Sequence, residues 1–428
     1  MLMPLSVARS LTEAVRQGAR DAGFLGRDGY AVLLRDGAPR EQAAVLREMA
    51  TLSCESPGLR ACVLNVVVMR LAQAGDLEQA RGVLREMARE RLWNPLTYQL
   101  AGRLPASASS LEGAPPFPGL VDAGAGSHKY VRAAYHALAR ASFGDAESIL
   151  RALEEFSGRS WLKFGAAYEK GAVIDGVLQR LPRRGRPSNV VEYGTFLGYS
   201  AIRMARVLGA GARIVTFELD PEVACLAMNL IEFAATGVQI DVWTGQCEDL
   251  APRLVEQVGL HSVDLVYMDH SQITYHRDLA QLEALGVLAS DARVVATQGL
   301  KPGAPLLAWR LAQAEKAGRC SVEVVSSPDC GCRMMEDWVV TAQIHGQPQD
   351  SWEPPEPPFQ LALLAAECNL MRWRTAQGLV DERRWNGFVQ HVRRGVEQHA
   401  GLASARDVWP DASVRDRARR LRFERMDY

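Results

Sequence analysis

Apolar residues recur at helical spacing through the first quarter of the chain. Over residues 40–103 they fall three or four positions apart, with charged residues between them, which predicts several packed helices. The same periodicity predicts three more amphipathic helices over residues 130–140, 145–156 and 168–179. The chain is therefore expected to begin with a helical flank.

The pattern changes near residue 188 to short apolar runs that alternate with helical stretches. This alternation is typical of α/β folds, so we expect a doubly wound, Rossmann-like sheet. Runs rich in Val, Ile and aromatic residues predict a strand just before Gly194 and further strands at 212–217, 239–243, 263–268, 293–296, 321–325 and 338–345.

Two segments with the composition of linkers divide the chain. Residues 105–128 are rich in Ser, Gly, Ala and Pro, and residues 347–358 include five prolines. They separate a helical region (1–104), an α/β domain (129–346) and a helical C-terminal segment (359–428). The basic stretch 415–425 is expected to be a solvated helix face.

Charge and cysteine content exclude several classes of function. The 428 residues carry 49 Lys and Arg against 50 Asp and Glu, so no global charge attracts nucleic acid or anionic membranes. The eight cysteines are too sparse for a disulfide framework, which indicates a reducing compartment. Because no apolar run approaches the length of a membrane span, we expect a soluble, cytoplasmic protein. Arg9, Arg16 and Arg20 are weakly compatible with an organelle transit peptide, but an exposed helix is the favoured interpretation.

A glycine loop after the first predicted strand is the main chemical signal. Glu192, Gly194 and Gly198 form a Glu-x-Gly-x-x-x-Gly pattern between strand and helix, where a parallel sheet binds its ligand. The pattern lacks the extra glycine with which dinucleotide binders make room for a pyrophosphate. S-adenosylmethionine (SAM), which has no pyrophosphate, is therefore favoured over NAD.

The second predicted strand strengthens this interpretation. It ends in Glu218, whose carboxylate can accept hydrogen bonds from both hydroxyls of a ribose. Asp220 and Pro221 follow as the predicted cap and first residue of a helix. Without the glycine loop, Glu218 would be interpreted as a solvated loop acid.

The helical region contains a repeated phrase. Leu-Arg-Glu-Met occurs twice, 38 residues apart, and residues 64–87 with Asn94 and Pro95 resemble a pentatricopeptide hairpin. That family binds single-stranded RNA. Two copies are fewer than a stable array needs, so a helical packing or protein-interaction segment is favoured over an RNA partner.

The α/β domain resembles the catechol O-methyltransferase family over about residues 129–346. The resemblance rests on residues 192–206, Gly211 to Arg213, residues 267–270 and the Pro302–Pro305 stretch, with Trp161 and Lys170 upstream. It implies a seven-stranded methyltransferase sheet, SAM as cofactor and a small hydroxylated, catechol-like acceptor. It also implies that the SAM-binding residues are Glu192, Gly194 and Ser200 at the methionine, Glu218 at the ribose, and Gly245, Gln246, Cys247, Glu248 and His270 at the adenine, with Asp269 near the methyl that is transferred.

The same resemblance implies catalytic positions that are only partly retained. The family uses Mg²⁺ held by two aspartates and an asparagine; here Asp269 is present, and Thr297 and Gln298 replace the other two. Mg²⁺ on Asp269 and Gln298, with Thr297 beside them, should bind weakly. The family's lysine position is Gln272, so the expected catalytic pair is Asp269 and Gln272. Lys301 is a candidate replacement for the lysine.

Two further positions depart from the family pattern. Ser271 stands where the family has a tryptophan beside the adenine. The family's acceptor-orienting acid falls near residues 333–336, where Glu336 would serve only after a shift in register.

Three functional hypotheses remain. The first is a SAM-dependent O-methyltransferase acting on a small hydroxylated molecule, and it is the one we favour. The second is a SAM-binding pseudoenzyme with a degraded metal site, whose partners bind the helical flanks. The third, an RNA-directed methyltransferase, is disfavoured by neutral charge and too few repeats.

Overall fold

The computed structural model describes residues 27–52, 54, 56–104, 128–160, 162–182, 185–330, 332, 334–346 and 352–420. The transit-peptide region, residues 105–127 of the first predicted linker, residues 347–351 of the second, Trp161 and the end of the basic stretch lie outside the described residues.

From residue 27 on, where the description begins, five helices form the N-terminal flank, and local sequence explains where three of them begin. Ser56 caps one helix by accepting from the backbone N–H of Leu59, and Asp76 caps the next. Asn94 forms a reciprocal capping box with Thr97 at the third. The helices are α1 (Arg27–Asp36), α2 (Pro39–Leu52), α3 (Pro57–Gln73), α4 (Leu77–Arg89) and α5 (Pro95–Arg103).

Three helices precede the sheet, as the sequence predicted. They are α6 (Lys129–Arg140), α7 (Ala146–Ser160) and α8 (Tyr168–Gln179). The sheet then alternates with helices. Its strands are β1 (Asn189–Tyr193), β2 (Arg213–Glu218), β3 (Gln239–Thr244), β4 (Val263–Met268), β5 (Leu288–Ala296), β6 (Cys320–Pro328), β7 (Glu336–Ile344) and β8 (Arg406–Asp407).

The strand order confirms the doubly wound prediction. The order is β3-β2-β1-β4-β5-β7-β6-β8, with β1 to β5 parallel and β7 antiparallel between β5 and β6. The order of the strands reverses between β1 and β4, which are parallel neighbours. Folds of this kind bind ligands at the point of reversal. The prediction of seven strands was wrong by one. The eighth, β8, is a two-residue strand that the C-terminal segment adds beside β6.

The helices between the strands begin with caps and glycine turns. Asp220 accepts from the backbone of Glu222 and Val223 and Pro221 follows it, as expected. A π-turn over Gly299–Gly303 follows β5. The helices are α9 (Tyr199–Leu208), α10 (Pro221–Ala234), α11 (Cys247–Leu250), α12 (Leu254–Gln257), α13 (Tyr275–Ala284) and α14 (Pro305–Lys316).

The N-terminal flank packs directly on the sheet domain. Helix α3 is buried on almost every side and lies against α10. Asn65 donates to Asn229 of α10 at 2.9 Å, and Asn229 donates to the carbonyl of Cys62 at 2.8 Å. Apolar side chains of the flank and of α6 to α10 form one continuous core.

The C-terminal segment packs on the opposite face of the sheet from the N-terminal flank. It contains α15 (Phe359–Ala376), α16 (Glu382–His399) and α17 (Ala412–Arg420). Helices α15 and α16 pack so closely on the π-turn that a Cβ on Gly303 would stand 2.9 Å from both Cys368 Sγ and Val392 Cγ1. In the described part of the chain, no helix has the length and apolar character to cross a membrane.

Candidate active site

A cavity of about 1280 Å³ opens at the carboxyl ends of the parallel strands. Two predicted residues, Glu192 and Thr297, are fully buried beneath its surface. The other predicted residues line it: Gly194, Ser200, Glu218, Gly245, Gln246, Cys247, Glu248, Asp269, His270, Gln272 and Gln298.

The glycine loop brings backbone close to the end of β4. Gly194 has φ +97°, and a Cβ there would stand 3.0 Å from the carbonyl oxygen of Asp269. Ser200, at the start of α9, donates to Glu192 Oε1. Glu192 Oε2 is buried with no hydrogen-bond partner. Burial raises the pKa of Glu192 to about 8, so this carboxyl is built to receive a further donor.

Glu218 is held at the end of β2 by its own loop. Its Oε2 accepts from the backbone N–H of Phe196 at 2.8 Å, and its Oε1 accepts from that of Asp220 at 3.0 Å. Burial raises the pKa of Glu218 to about 7 even though these donors oppose the shift. Each oxygen keeps a free lone pair, so a diol in the cavity can still donate to the carboxylate.

His270 is fixed by its partners. Its Nε2 lies 2.7 Å from Asp278 Oδ2 and 3.1 Å from Thr274 Oγ1, while the ring packs between Tyr193 and Tyr275. Its Nδ1 is buried without a hydrogen-bond partner. The imidazole therefore forms a rigid wall of the cavity beside Gln246.

The predicted metal ligands lie together but bond to one another. Thr297 donates to Asp269 Oδ1 at 2.6 Å, and the Gln298 amide donates to the same oxygen. The Gln298 Oε1 atom accepts from Gln272 at 2.7 Å. A Cβ on Gly165 would stand 2.0 Å from Asp269 Oδ2, so the backbone covers the second carboxylate oxygen.

These residues do not fit Mg²⁺. They provide one carboxylate, its oxygens are engaged or covered, and the Gln298 amide nitrogen faces it; Mg²⁺ requires several oxygen ligands in octahedral geometry. Within the described ranges, no three His, Cys, Asp or Glu side chains are grouped so as to hold a metal ion.

A buried group of charges, not recognised from the sequence as a unit, lies on the acceptor side of the cavity. Lys301 is only 7% exposed, although a lysine in a loop is ordinarily solvated. Its ammonium lies 3.0 Å from Asp329 Oδ2, which Lys163 also approaches at 3.3 Å. Two lysines therefore share one carboxylate. No spacing in the sequence links these three positions, so only the fold could reveal the group.

The two lysines titrate differently. Burial, with the nearby positive charge of Lys163, lowers the pKa of Lys301 despite its carboxylate partner. Burial acts against the Lys163 ammonium too, but Asp329 outweighs it and raises the pKa of Lys163. Burial would raise the pKa of Asp329, but the lysines outweigh it and hold that pKa well below its usual range. The shift thus favours the neutral amine at Lys301 and the ammonium at Lys163.

The loop that carries Lys301 is held by a second buried ion pair. Asp337 Oδ1 accepts from the backbone N–H groups of Leu300 at 2.9 Å and Lys301 at 3.2 Å. Asp337 Oδ2 pairs with the fully buried Lys170. This pair positions the π-turn, which keeps the Lys301 side chain pointed at the cavity.

Glu336, the sequence candidate for an acceptor-orienting acid, lies away from the cavity. Its carboxylate binds Ser326, Arg393 and Arg419, which tie β7 to α16 and α17. Arg419 is therefore in an ion pair with the buried Glu336 and is itself partly buried, although the basic end was expected to be solvated. Asp329, the partner of Lys301, is among the acids that do line the cavity.

The C-terminal helices complete the cavity wall. The Trp385 ring of α16 lies 5.6 Å from the Lys301 ammonium, and Arg372 of α15 donates to Ser271 Oγ. The cavity thus combines a carboxylate that has lone pairs free for a ligand with a buried lysine whose pKa is lowered, an arrangement that is compatible with transfer of a group to an acidic hydroxyl.

Comparison with known proteins agrees with this geometry. An O-methyltransferase family profile matches residues 176–297. Catechol O-methyltransferase of Bos taurus is 34% identical over 180 residues, 42% of this chain and 65% of that protein. The Sus scrofa enzyme is 36% identical over 137 residues, 32% of this chain and 72% of that protein. Transmembrane O-methyltransferase of Homo sapiens is 36% identical over 202 residues, 46% of this chain and 67% of that protein.

The match to the family profile, over residues 176–297, includes neither flank. The chain spans slightly less than two thirds of the bovine protein's length. It covers more than two thirds of the porcine protein at 36% identity. The chain therefore belongs to the O-methyltransferase family that includes catechol O-methyltransferase.

Proposed function

We propose that the protein is a SAM-dependent O-methyltransferase whose acceptor is a small, catechol-like molecule with an acidic hydroxyl. The observation that carries the proposal is that one cavity holds both a cofactor cradle, formed by Ser200 and Glu218, and the Lys301–Asp329 pair. Bound SAM would supply the methyl group at its sulfonium.

The cradle residues have separate binding roles. Ser200, the Gly194 backbone and the unpartnered Glu192 oxygen would receive the amino-acid end of the cofactor. Glu218 would accept the ribose hydroxyls with its remaining lone pairs. The adenine would lie among Gln246, Cys247, Glu248 and His270, with Asp269 at the centre of the cavity.

Lys301 would accept the proton of the acceptor's hydroxyl. A neutral phenol is a poor nucleophile, so the acceptor must lose its hydroxyl proton as the C–O bond forms and the C–S bond breaks. The Lys301 amine accepts that proton, and the resulting ammonium lies 3.0 Å from Asp329. Gln272, at the position of the family's lysine, cannot accept a proton at neutral pH and would instead hold Gln298.

A calorimetric titration with SAM tests the cofactor site. We expect the wild type to bind SAM and the Glu218→Gln variant to bind at least about tenfold more weakly, because the variant loses a charge-assisted hydrogen bond. Affinity and turnover should be the same in Mg²⁺ and in chelator. Absence of SAM binding in both conditions would overturn the proposal. Loss of turnover in chelator would show that the reaction requires a metal ion.

One observation favours a second candidate, a SAM-binding protein without turnover. Asp269, Gln298 and Gln272 form a closed hydrogen-bonded chain where the family has metal and lysine. Methyl transfer to any dihydroxyphenyl compound would eliminate this candidate. SAM binding without transfer to a panel of such compounds would favour it.

We infer that the N-terminal flank is a packing segment and not an RNA reader. Its longest helix, α3, uses its surface against α2, α4 and α10. Retention of single-stranded RNA by the full chain, with the salt dependence of phosphate contacts, would contradict this inference.

A further inference from the structure

A second cavity, of about 770 Å³, lies between the N-terminal flank and the sheet domain. We call it the flank cavity. Its walls come from α1 to α5 on one side and from α10 and β3 on the other. Its size is that of a site for a small organic ligand. It shares none of its lining residues with the active-site cavity.

Positive charge dominates the walls of the flank cavity. Five arginines line it against two acids, Glu232 and Asp241. Both acids are already engaged: Glu232 pairs with Arg103, and Asp241 accepts from Arg213 at 2.8 Å. A third arginine, Arg35, pairs with Asp249 outside the cavity.

Arg70 of α3 is the exception among these arginines. Its guanidinium is partly buried and donates to the neutral Gln73 amide oxygen at 3.0 Å and contacts Met228 Sδ at 3.9 Å. Among the described residues, no carboxylate forms an ion pair with it. Burial lowers the pKa of Arg70, and the charge of Asp241 opposes this shift only in part. A partly buried cation with no carboxylate in an ion pair gains from an anion supplied by a ligand.

Apart from Gln42, Gln73, Thr244 and Gln257, the remaining lining side chains are mainly apolar. Trp243 is the one aromatic ring among them; the Arg253 guanidinium lies over it at 5.2 Å and Phe217 stacks on it at 5.7 Å, so the ring is already occupied. The apolar walls include Leu34, Leu46, Leu100, Leu104, Met228 and Ile231. An aliphatic body therefore fits better than an aromatic one.

We propose that the flank cavity binds a long-chain carboxylate, with the acid group on Arg70 and the hydrocarbon chain among the leucines. The carboxylate of the ligand would pair with Arg70, and its hydrocarbon chain would shield the apolar walls of the cavity from water. The ligand would contact α3 and β3 together and so would stabilise the packing of the flank on the sheet. This proposal is independent of the methyl-transfer chemistry.

Calorimetric titration of the full chain with dodecanoate tests the proposal, with dodecanol as the uncharged probe of equal chain length. We expect dodecanoate to bind and dodecanol to bind at least about tenfold more weakly, since one charge-assisted contact is lost. Equal affinity for the two probes would overturn the role of Arg70, and no binding of either would overturn the site.

Two variants separate the ligand effect from a folding effect. Arg70→Met removes the cation, and Gln73→Glu places a carboxylate on it within the same side-chain shape. Both should weaken dodecanoate binding at least about tenfold, whereas Gln73→Glu should keep or raise the melting temperature because it gives Arg70 an ion-pair partner. Arg103→Met, whose arginine is already paired with Glu232, is the control that should bind nearly as wild type. Unchanged dodecanoate affinity in Gln73→Glu would contradict the proposal.

Discussion

Lys301 is the residue on which the proposed chemistry depends most. Its lowered pKa makes the neutral amine accessible at lower pH than for an ordinary lysine. Since only the neutral form accepts a proton, kcat should rise with pH until that lowered pKa is passed. Lys301→Met should reduce kcat by about 10²- to 10⁴-fold, the usual contribution of a general base. Lys301→Arg keeps the charge but cannot accept a proton, so it should be equally inactive; an active Lys301→Arg would show that only the charge matters.

Lys163 provides a matched test at the same carboxylate. Its positive charge contributes to lowering the pKa of Lys301. Lys163→Met should therefore leave the maximal kcat within several-fold of wild type while shifting the pH profile to higher pH. The measurement is kcat against pH for both proteins. A profile that moves to lower pH, or a loss as large as that of Lys301→Met, would contradict the assigned roles.

Glu192 predicts a pH dependence of stability. Burial raises its pKa from 4.5 to about 8, so the folded protein keeps a proton that the unfolded chain releases. The free energy of unfolding should therefore fall as pH rises from about 4.5 to 8, by at most about 1.4 kcal/mol per pH unit, and then level off. Urea unfolding of Glu192→Gln, measured without cofactor, should lack this component. If the unfolding free energy of the variant fell with pH as steeply as that of the wild type, the retained proton would belong to another group.

At the scale of elements, helix α8 contains two glycines with opposite surroundings. A Cβ on Gly171 would meet the Ala166 carbonyl at 2.4 Å and Arg203 Cζ at 2.3 Å, whereas one on Gly176 would have only Arg180 near it, at 3.7 Å. Gly171→Ala should destabilise the protein by about 1 to 3 kcal/mol through overpacking. Gly176→Ala should stabilise it by up to about 1 kcal/mol, because alanine favours the helix. Urea unfolding of both variants checks the contrast, and equal effects would contradict the close packing.

Elements with a strong periodic or turn signal could be predicted from the sequence, and long-range pairings could not. The strand before Gly194, the Asp220 cap and the helix over residues 168–179 depend on local pattern, and all are present. β8 is two residues long and exists only because the chain returns to β6. The Lys301–Asp329–Lys163 group joins residues from three separate segments. Such contacts are set by tertiary packing, which no window of sequence contains.

At the scale of the whole molecule, the helical flank and the sheet domain share one core. Leu64 of α3 and Leu226 of α10 are both buried in it, and the Asn65–Asn229 hydrogen bond lies in the same interface. The C-terminal helices share a second core with the other face of the sheet. The flank therefore stabilises α10, the helix that follows β2 and Glu218, and α10 links the flank to the proposed active site.

Asn229 tests whether this shared core makes the molecule one cooperative unit. Its Oδ1 accepts from Asn65 Nδ2 at 2.9 Å, and its Nδ2 donates to the Cys62 carbonyl at 2.8 Å. Asn229→Ala removes both bonds while Asn65 Nδ2 keeps its bond to Asn94, so the variant should lose about 1 to 3 kcal/mol in total. If the flank and the sheet unfold together, the far-ultraviolet dichroism and the loss of SAM binding should shift to lower urea by the same amount.

Two separate transitions would instead mean that the flank unfolds by itself. In that case Asn229→Ala would move the dichroism of the flank and leave SAM binding in place at intermediate urea. The control is Gly82→Ala in α4, where an added Cβ has nothing within 4 Å. This variant should raise the stability of the flank by about 0.5 to 1 kcal/mol and, in a single cooperative unit, should raise the urea midpoint of SAM binding equally. If neither variant changed the urea midpoint of SAM binding, the shared core would not couple the flank to the active site.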